Sequence, residues 1–497
     1  MSATPSSPEF FRDRKGGGAP LPFVRGSFIL LLAALAFAAG CAVGPDYHPP
    51  QTAAPGQWSA PLAGGETNQP AALADWWKNF GDTNLDLLMA TAVRSNLDLQ
   101  IAAARVREAR AERDVTAGGR WPSAGGTAAY SKNRYGANQY PPLAGFGIPL
   151  EYNLYNAGFD AAWELDIFGG TRRAVEAANA RLGAAEFGAR DVLVSLLAET
   201  ARNYVELRGY QQRLAITRRN LQVQQQTLDL TRNRYQNGLS SDLDVQQAAA
   251  LLHATEAQLP ALETGFQQTA HHLAVLLGQP PGALLEKLSA EKSIPAAPPA
   301  VPVGLPADLL RRRPDVQRAE RELAAANARI GVAVADLFPK FSLTGTIGLQ
   351  SQTAGNWFTY GSRYWSAGPT AQWDLFEAGR IRANVRAQTA RQEQALAAYE
   401  KTALAALEDA ENALTAYAQE QNRRAALARS ETADRQALDL ADELYRSGLA
   451  DFLRVLDSER ALYAAQDALA QSDAAISLNL VQLYKALGGG WQNGENR

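Results

Sequence analysis

Residues 155–165 read YNAGFDAAWEL, and residues 365–375 read WSAGPTAQWDL. In each stretch the large apolar side chains fall at every second position, which is the period of a β-strand whose two faces meet different surroundings. Residues 341–349, which precede the second stretch, follow the same alternation. The sequence therefore predicts strands of about ten residues, apolar on one face and polar on the other.

The two quoted stretches lie 210 residues apart, and the same offset relates much of the chain that follows them. It holds over 100 residues without a gap and pairs Gly169 with Gly379, Arg181 with Arg391, Tyr235 with Tyr445, and Gly238 with Gly448. Ahead of the strands the offset is 217, so the first half carries seven extra residues, which belong in a surface loop. We expect a duplication of one long unit rather than a solenoid, whose period is about 20–50 residues.

Each half also contains a long proline-free run, at about 170–236 and about 379–446. A helix of that length, roughly 67 residues, extends about 100 Å, far more than an ordinary globular helix. Apolar heptads mark these runs and continue in the segments that follow them, for example Val245, Leu252, Leu259, Phe266 and Leu273, and Val455, Leu462, Leu469, Ile476 and Leu483. A seven-residue period predicts a left-handed coiled coil.

Glycine and proline divide these helical segments. Gly238 and Gly448 stand where the long helices should end, as glycines after a helix C-terminus do, so each half is expected to close in an antiparallel helical hairpin. Pro260 lies inside the second helix of the first hairpin, where we expect a kink.

The N-terminus has the layout of a secretory signal peptide. The apolar run Phe28–Ala39 is too short to span a bilayer as a helix, follows several basic residues, and is followed by small residues. Cys41, the only cysteine, comes directly after it in a stretch that resembles a bacterial lipobox. That resemblance implies that residues 1–40 are removed and that Cys41 carries a diacylglyceryl group, with outer-membrane sorting favoured because residue 42 is Ala.

Composition narrows the classes of function. The chain has 497 residues, a net charge of −3, one cysteine and four histidines. It lacks the basic excess of a nucleic-acid-binding protein and the cysteines needed for an internal disulfide or a thiolate metal cluster. No nucleophile motif, phosphate loop or metal-ligand spacing is present, so we expect neither an enzyme nor a cofactor, apart from the covalent lipid on Cys41.

The alternating strands fit a transmembrane barrel, and they fit equally a soluble sheet that covers a core. Two strands in each repeat give four in the chain. A sheet in a membrane must close, since open edges leave unpaired backbone groups in lipid, and the smallest membrane barrels have about eight strands. Three chains would supply 12 strands, an even number within the known range.

Several further motifs carry a family resemblance: Cys41-Ala42-Val43-Gly44-Pro45-Asp46-Tyr47, Leu310–Val316, Ala335-Asp336-Leu337-Phe338-Pro339, the two helix tips and Ala486–Trp491. With the duplication, they make the chain resemble the TolC-like outer membrane factors, in the OprM/NodT-like lipoprotein branch of RND-type multidrug efflux systems. The resemblance implies an α+β membrane protein: a homotrimer with one 12-stranded β-barrel, four strands per chain, continued by a long α-helical coiled-coil barrel with a small mixed equatorial domain.

The resemblance also implies a domain order. Residues 1–40 are the signal peptide, 41–83 a lipid-anchored segment, 84–278 the first repeat, 279–306 an equatorial linker, 307–488 the second repeat and 489–497 a tail. Within the repeats, strands are expected at about 122–166 and about 339–376, and helix tips at about 234–244 and about 444–454.

By the same resemblance, the protein is a passive exit duct that joins a periplasmic adaptor protein and an inner-membrane RND-type transporter, in the outer membrane of a Gram-negative bacterium. Leu453, Asp457 and Arg460 share one helix face and match the positions that ring the aperture in the family. The tips are candidates for adaptor docking, through Arg234, Gly238, Leu239, Ser240, Gly448, Leu449 and Ala450.

Four alternatives remain open at this point. The aperture residues also fit an ordinary solvated helix face, and the tip leucines could simply hold their own hairpins together. The same fold could serve protein or metal export. A periplasmic coiled-coil scaffold lipoprotein without a pore is the main competing class.

Overall fold

A computed structural model of the chain describes residues 42–51, 55–61, 65–67, 69, 73–136, 138, 150–298 and 301–491. The expected signal peptide and the expected lipid-bearing Cys41 therefore lie outside the described residues. Among the described residues, one unit holds those up to Val43 with Arg120–Arg172 and Val334–Phe376, and a second holds Gly44–Gly119, Arg173–Ala333 and the chain from Glu377 onward.

The elements follow one another in two similar sets. The first is β1 (Glu66–Thr67), α1 (Thr83–Ser95), α2 (Leu97–Gly118), β2 (Ser123–Arg134), β3 (Glu151–Leu165), α3 (Gly170–Gln236), α4 (Asp242–Glu256), α5 (Leu259–Leu276) and α6 (Leu285–Leu288). The second is β4 (Val301–Pro302), α7 (Pro306–Arg312), α8 (Pro314–Ala335), β5 (Lys340–Ser351), β6 (Arg363–Gln372), α9 (Arg380–Arg446) and α10 (Phe452–Ala486).

The first unit contains a four-stranded antiparallel sheet in the order β2-β3-β5-β6. Its register aligns Phe159 with Ile347 and Ile347 with Trp365, so these three side chains form a row on one face. They are 70%, 63% and 77% exposed, which leaves the apolar face of the sheet uncovered by the described residues of the chain. The alternation predicted from the sequence is present, and the sheet does not cover a core of its own.

Matching contacts support the duplication. Trp163 donates its indole N–H to the carbonyl of Arg120 at 3.0 Å, and Trp373 donates to the carbonyl of Leu337 at 3.1 Å. The two tryptophans are 210 residues apart and the two acceptors 217, the offsets found in the sequence. In each repeat, this hydrogen bond therefore holds the chain just before the first strand beside the end of the second strand.

The second unit is mainly helical, and α3 and α9 are each 67 residues long. Helices of this length depend for their stability on the partner helices of the hairpins, because an apolar heptad stripe can be buried only against another helix. Val455 and Leu462 of the predicted stripes are buried, as are Leu207 and Leu228 of α3, whereas Tyr235, at the end of α3, is exposed. Among the described residues, no helix has an apolar stretch long enough to cross a membrane.

Pro260 does more than kink the first hairpin. The helix ends at Glu256 and a new one begins at Leu259, with Pro260 in its first turn, where a proline's missing N–H costs nothing. The corresponding helix of the second repeat, α10, runs without a break for 35 residues. The expected kink is thus a break between two helices.

A mixed region forms around the middle of the second unit. The short strands β1 and β4 pair in parallel, although more than 230 residues separate them. Trp76 stacks on Tyr484 at 5.0 Å between ring centroids, and the guanidinium of the buried Arg208 donates to the carbonyl of Ala290 at 2.9 Å. This region shares one hydrophobic core with the helices that surround it.

The first residues of the second unit are tightly held. Arg173 forms an ion pair with Asp46 at 2.6 Å, and Asn327 donates to the carbonyl of Pro45 at 3.0 Å. The hydrogen bond and charge of Arg173 hold the pKa of the Asp46 carboxyl below its ordinary value. Gly44 has φ of +90° and its backbone faces Gly331, so closely that a Cβ on Gly44 would lie 2.4 Å from the Cα of Gly331.

Candidate functional site at the helix tips

Both long helices end in the same turn. Gly238 adopts φ of +71°, Leu239 donates its N–H to the carbonyl of Arg234 at 2.8 Å, and Gly238 donates to the carbonyl of Tyr235 at 2.9 Å. These two hydrogen bonds around a left-handed glycine are the Schellman motif. In the second repeat Gly448 has φ of +73°, and Leu449 and Gly448 donate to Leu444 and Tyr445 at 2.8 Å and 3.0 Å.

The residues after each glycine start the returning helix. Ser241 caps α4 by accepting from the N–H of Asp244 at 3.2 Å, while the Asp244 carboxylate accepts from Ser240 at 2.7 Å and from the backbone of Ser241 at 3.0 Å. Burial tends to raise the pKa of Asp244, but the bonds from Ser240 and Ser241 hold it below its ordinary value. Asp451 caps α10 in a simpler way, by accepting from the N–H of Arg454 at 3.2 Å.

The two tips are joined within the chain. The Arg234 guanidinium lies over the ring of Tyr445, 4.5 Å from its centroid, and donates to the Tyr445 carbonyl at 3.4 Å. Below this contact, a separate hydrophobic cluster joins all the helices of the two hairpins near the tips; it consists of Leu228, Val245, Ala248, Leu251, Leu252, Ala441, Tyr445, Phe452, Val455 and Leu456. Arg234, one of the residues predicted to dock the adaptor, therefore also links the two repeats.

The tip leucines do not pack into this cluster. Leu239 is 69% exposed and Leu449 is 77% exposed. Their backbone N–H groups complete the Schellman turns, and their side chains point away from the hairpin core. The alternative that each leucine holds its own hairpin together finds no support in this burial.

The predicted aperture residues lie on one exposed face of α10. Leu453 is 48% exposed, and the side chains of Asp457 and Arg460 are both more than half exposed. Arg460 lies 3.7 Å from the carboxylate of Asp457, one turn along the same helix. Phe452, Val455 and Leu456 on the other face are buried, so the exposed face is free to meet another molecule.

Sequence reasoning missed Glu459, which lies between the two faces. Its side chain is buried, and the Thr227 hydroxyl of α3 donates to its carboxylate at 2.6 Å. Burial raises the pKa of Glu459, the bond from Thr227 opposes that rise, and the charge of Asp442 on α9 adds to it. The signal was available: Glu459 stands in the apolar stripe between Val455 and Leu462, where the first repeat has Ala249.

Nothing at the tips resembles a catalytic or metal centre. Among the described residues, no group of three or more His, Cys, Asp or Glu side chains could hold a metal ion. The tips offer instead the exposed leucines Leu239 and Leu449, together with exposed charged side chains such as Asp457 and Arg460. Such groups suit contact with proteins and control of an ionic path.

A comparison with known families identifies the fold. The outer membrane efflux protein family matches residues 88–279 and 305–489, which together cover nearly all of the two predicted repeats. The chain belongs to this family.

Individual relatives extend over nearly the whole chain. Nodulation protein T of Rhizobium leguminosarum bv. viciae is 33% identical over 453 residues, which are 91% of each chain. The pyoverdine export outer membrane protein OpmQ of Pseudomonas aeruginosa is 34% identical over 444 residues, 89% of this chain and 92% of OpmQ. The solved structure of the outer-membrane channel OprN superposes with a TM-score of 0.84 at 39% identity, covering 91% of this chain and 100% of OprN.

The family determines the broad function and location of this efflux protein. It is an outer-membrane channel through which an efflux system discharges, and it extends from the outer membrane of a Gram-negative bacterium into the periplasm. Its relatives are efflux channels, which are not enzymes.

Proposed function

We propose that the protein is a homotrimeric exit duct that conducts small molecules passively, after an inner-membrane RND-type transporter expels them through a periplasmic adaptor. The observation that carries this proposal is the uncovered apolar face of the four-stranded sheet, with Phe159, Ile347 and Trp365 in one row. An apolar surface of this kind suits lipid, and it argues against a non-pore scaffold in the periplasm.

Closure of the sheet supports the trimer. The sheet has four strands, and its outer strands β2 and β6 have no further partner among the described residues. Open strand edges are not tolerated in lipid, so β6 of one copy is expected to pair with β2 of the next. Three copies then form one closed barrel of about 12 strands, which lies within the range of membrane barrels.

We place the aperture at the second tip. In a trimer, the exposed face of α10 repeats around the axis, so that Leu453 forms an apolar ring and Asp457 an acidic ring. Clustered carboxylates concentrate negative potential and favour cations. Arg460, 3.7 Å from Asp457 in the same helix, reduces the repulsion between the three carboxylates.

We assign adaptor docking to the two turns, Arg234 with Gly238-Leu239-Ser240 and Gly448-Leu449-Ala450. Each Schellman turn presents an exposed leucine on a rigid backbone, and a trimer presents six of them at one end. Apolar side chains held on preorganised turns lose little entropy on binding, which favours a protein partner. Gly238 and Gly448 act here by permitting the turn.

We further propose the processing and domain order given by the sequence. Residues 1–40 are removed, Cys41 carries the lipid, and residues 41–83 form the anchored segment. The ion pair of Asp46 with Arg173 supports this proposal, because it fixes the chain a few residues after the proposed anchor. The equatorial linker at 279–306 is supported by the pairing of β4 with β1.

The test is single-channel conductance of the purified mature protein in planar bilayers. Wild type is compared with Asp457→Ala and with Asp439→Ala, which removes an exposed carboxylate of α9 that has no ion-pair partner among the described residues. We expect small cation-selective steps that lose their selectivity in Asp457→Ala and keep it in Asp439→Ala. The mass of the detergent-solubilised protein is measured in parallel.

The outcomes separate the parts of the proposal. Steps that the Asp457→Ala change does not alter would keep the duct and move the aperture away from Leu453, Asp457 and Arg460. A monomer that neither trimerises nor inserts would refute the exit duct and leave the scaffold lipoprotein.

A further inference from the structure

Four helices of the second unit lie side by side. Arg110 of α2 is 3.5 Å from Glu186 of α3, and Asp191 of α3 is 3.4 Å from Arg318 of α8. Arg313, the residue before α8, lies 3.1 Å from Asp409 of α9. The order across this layer is therefore α2, α3, α8, α9.

An open cavity of about 620 Å³ touches all four helices. Each helix contributes one stripe, at spacings of three, four or seven residues. The α3 stripe is mostly small residues, including Ala184 and Gly188, and α8 adds Ala325 and Ala326; their small size leaves the space open.

Arginines surround this floor of small residues. Arg105 of α2, Arg181 of α3, Arg318 and Arg329 of α8 and Arg391 of α9 all line the cavity, whereas Glu322 is the one carboxylate among the described lining residues. Arg318 is paired with Asp191 at 3.4 Å and approaches Glu322 at 4.0 Å. In the described part of the chain, no carboxylate lies within 4 Å of the guanidinium groups of the other four arginines.

The lining of the cavity therefore carries an excess of positive charge. Elsewhere among the described residues, arginines between helices have acidic partners, as Arg213 has Asp467 at 2.7 Å and Arg424 has Asp473 at 2.7 Å. A cleft lined by charges of one sign concentrates the field and raises the local concentration of counter-ions. Guanidinium groups present paired N–H donors that match the geometry of carboxylate, phosphate and sulfonate groups.

We propose that this cavity is a binding site for small organic anions that carry two or more acidic groups. Its volume is that of a site for a drug-sized molecule, and its alanine and glycine floor accepts a flat apolar body while the arginines hold the acidic groups. Arg181 and Arg391 occupy equivalent positions of the two repeats and approach the cavity from different helices. That the bound anion is cargo in transit rests on the proposed exit duct; binding itself does not.

The test uses the full mature protein in detergent and the trisulfonate dye pyranine, whose binding is followed by fluorescence anisotropy at low salt. The cavity variant is Arg181→Gln with Arg391→Gln. Its matched control is Arg107→Gln with Arg386→Gln, which removes the same charge from exposed positions of α2 and α9 that do not line the cavity. A third variant, Arg181→Lys with Arg391→Lys, keeps the charge without the paired donors.

We expect the cavity variant to bind pyranine at least about tenfold more weakly, since two charge-assisted contacts are lost, and the control to stay within about twofold of wild type. The lysine variant should fall between them. Equal weakening in the cavity variant and the control would overturn the site in favour of diffuse attraction to a basic surface. Absence of binding to the wild type would also overturn it. Conductance of the same preparation shows whether the exit duct survives either result.

Discussion

We predict that the stability of the tips depends on pH through the buried carboxylate of Glu459. Thr227 donates the one hydrogen bond that Glu459 receives among the described residues, at 2.6 Å, and Asp442 on α9 is the acidic group whose charge acts on it. Its pKa is raised in the folded protein, chiefly by burial. The stabilising contribution of the protonated form is therefore complete below the unfolded pKa of about 4.3, and it is lost as the pH rises through the higher native value.

Two substitutions separate burial from hydrogen bonding. Glu459→Gln keeps the shape and can still accept from Thr227, but it carries no charge, so it should stabilise the tip at pH 8 and remove this pH dependence. Thr227→Val leaves the ionised carboxylate without its donor, which costs about 1.5–3 kcal/mol and opens the region roughly 10- to 150-fold more often. In the Glu459→Gln background the same change should cost less, because the acceptor is neutral.

Hydrogen exchange of the α10 amides around Glu459, expressed as protection factors between pH 5 and pH 8, measures this opening directly. Glu443→Gln is the control, since Glu443 lies on the exposed side of α9 near the same tip. The reasoning is refuted if Glu459→Gln lowers protection at pH 8, or if protection of the tip in that variant still falls with rising pH as steeply as in the wild type.

Three further predictions concern the sheet, the N-terminal segment and the tip turn. Ile347→Arg, on the uncovered apolar face, should cost about 2–4 kcal/mol in lipid and lower the yield of membrane-inserted protein, whereas Thr346→Arg, its neighbour on the polar face, should not; fractionated membranes report both. Gly44→Ala should lower the thermal midpoint, because the new Cβ would lie 2.4 Å from the Cα of Gly331 at a φ of +90°. Gly448→Ala should destabilise the second tip by about 1–2 kcal/mol through φ alone, since a Cβ there meets nothing within 4 Å, and Gly448→Asn should cost less; exchange of the tip amides distinguishes them.

The periodic spacing of apolar residues made most of the fold predictable from the sequence. The period of two located the strands and the period of seven located the buried stripes, because each element must bury one face or leave it to a distinct solvent. The C-terminal glycines of α3 and α9 marked the turns for the same local reason: only a residue that tolerates positive φ completes a Schellman motif. These features depend on neighbours a few residues apart, so one sequence is enough to reveal them.

Features that depend on distant segments were not predictable in this way. The residues of β1 and β4 carry no pattern that predicts their pairing across more than 230 positions. The arginines around the cavity lie on four helices, and each one alone looks like an ordinary exposed side chain. Pro260 shows a smaller limit: its effect on the helix was visible, but a kink and a break differ in how the neighbouring turns are packed.

The two repeats differ at two of the three positions proposed for the aperture. Leu453 has Leu243 as its counterpart in the first repeat, so both tips expose a leucine at that position. Asp457 and Arg460, however, correspond to Gln247 and Ala250. In a trimer the six hairpins would therefore be similar in backbone and in apolar contacts, while these two positions alternate between charged and uncharged side chains around the axis. In the proposed aperture, Asp457 would therefore form a ring of three carboxylates rather than six, because its counterpart Gln247 carries no charge.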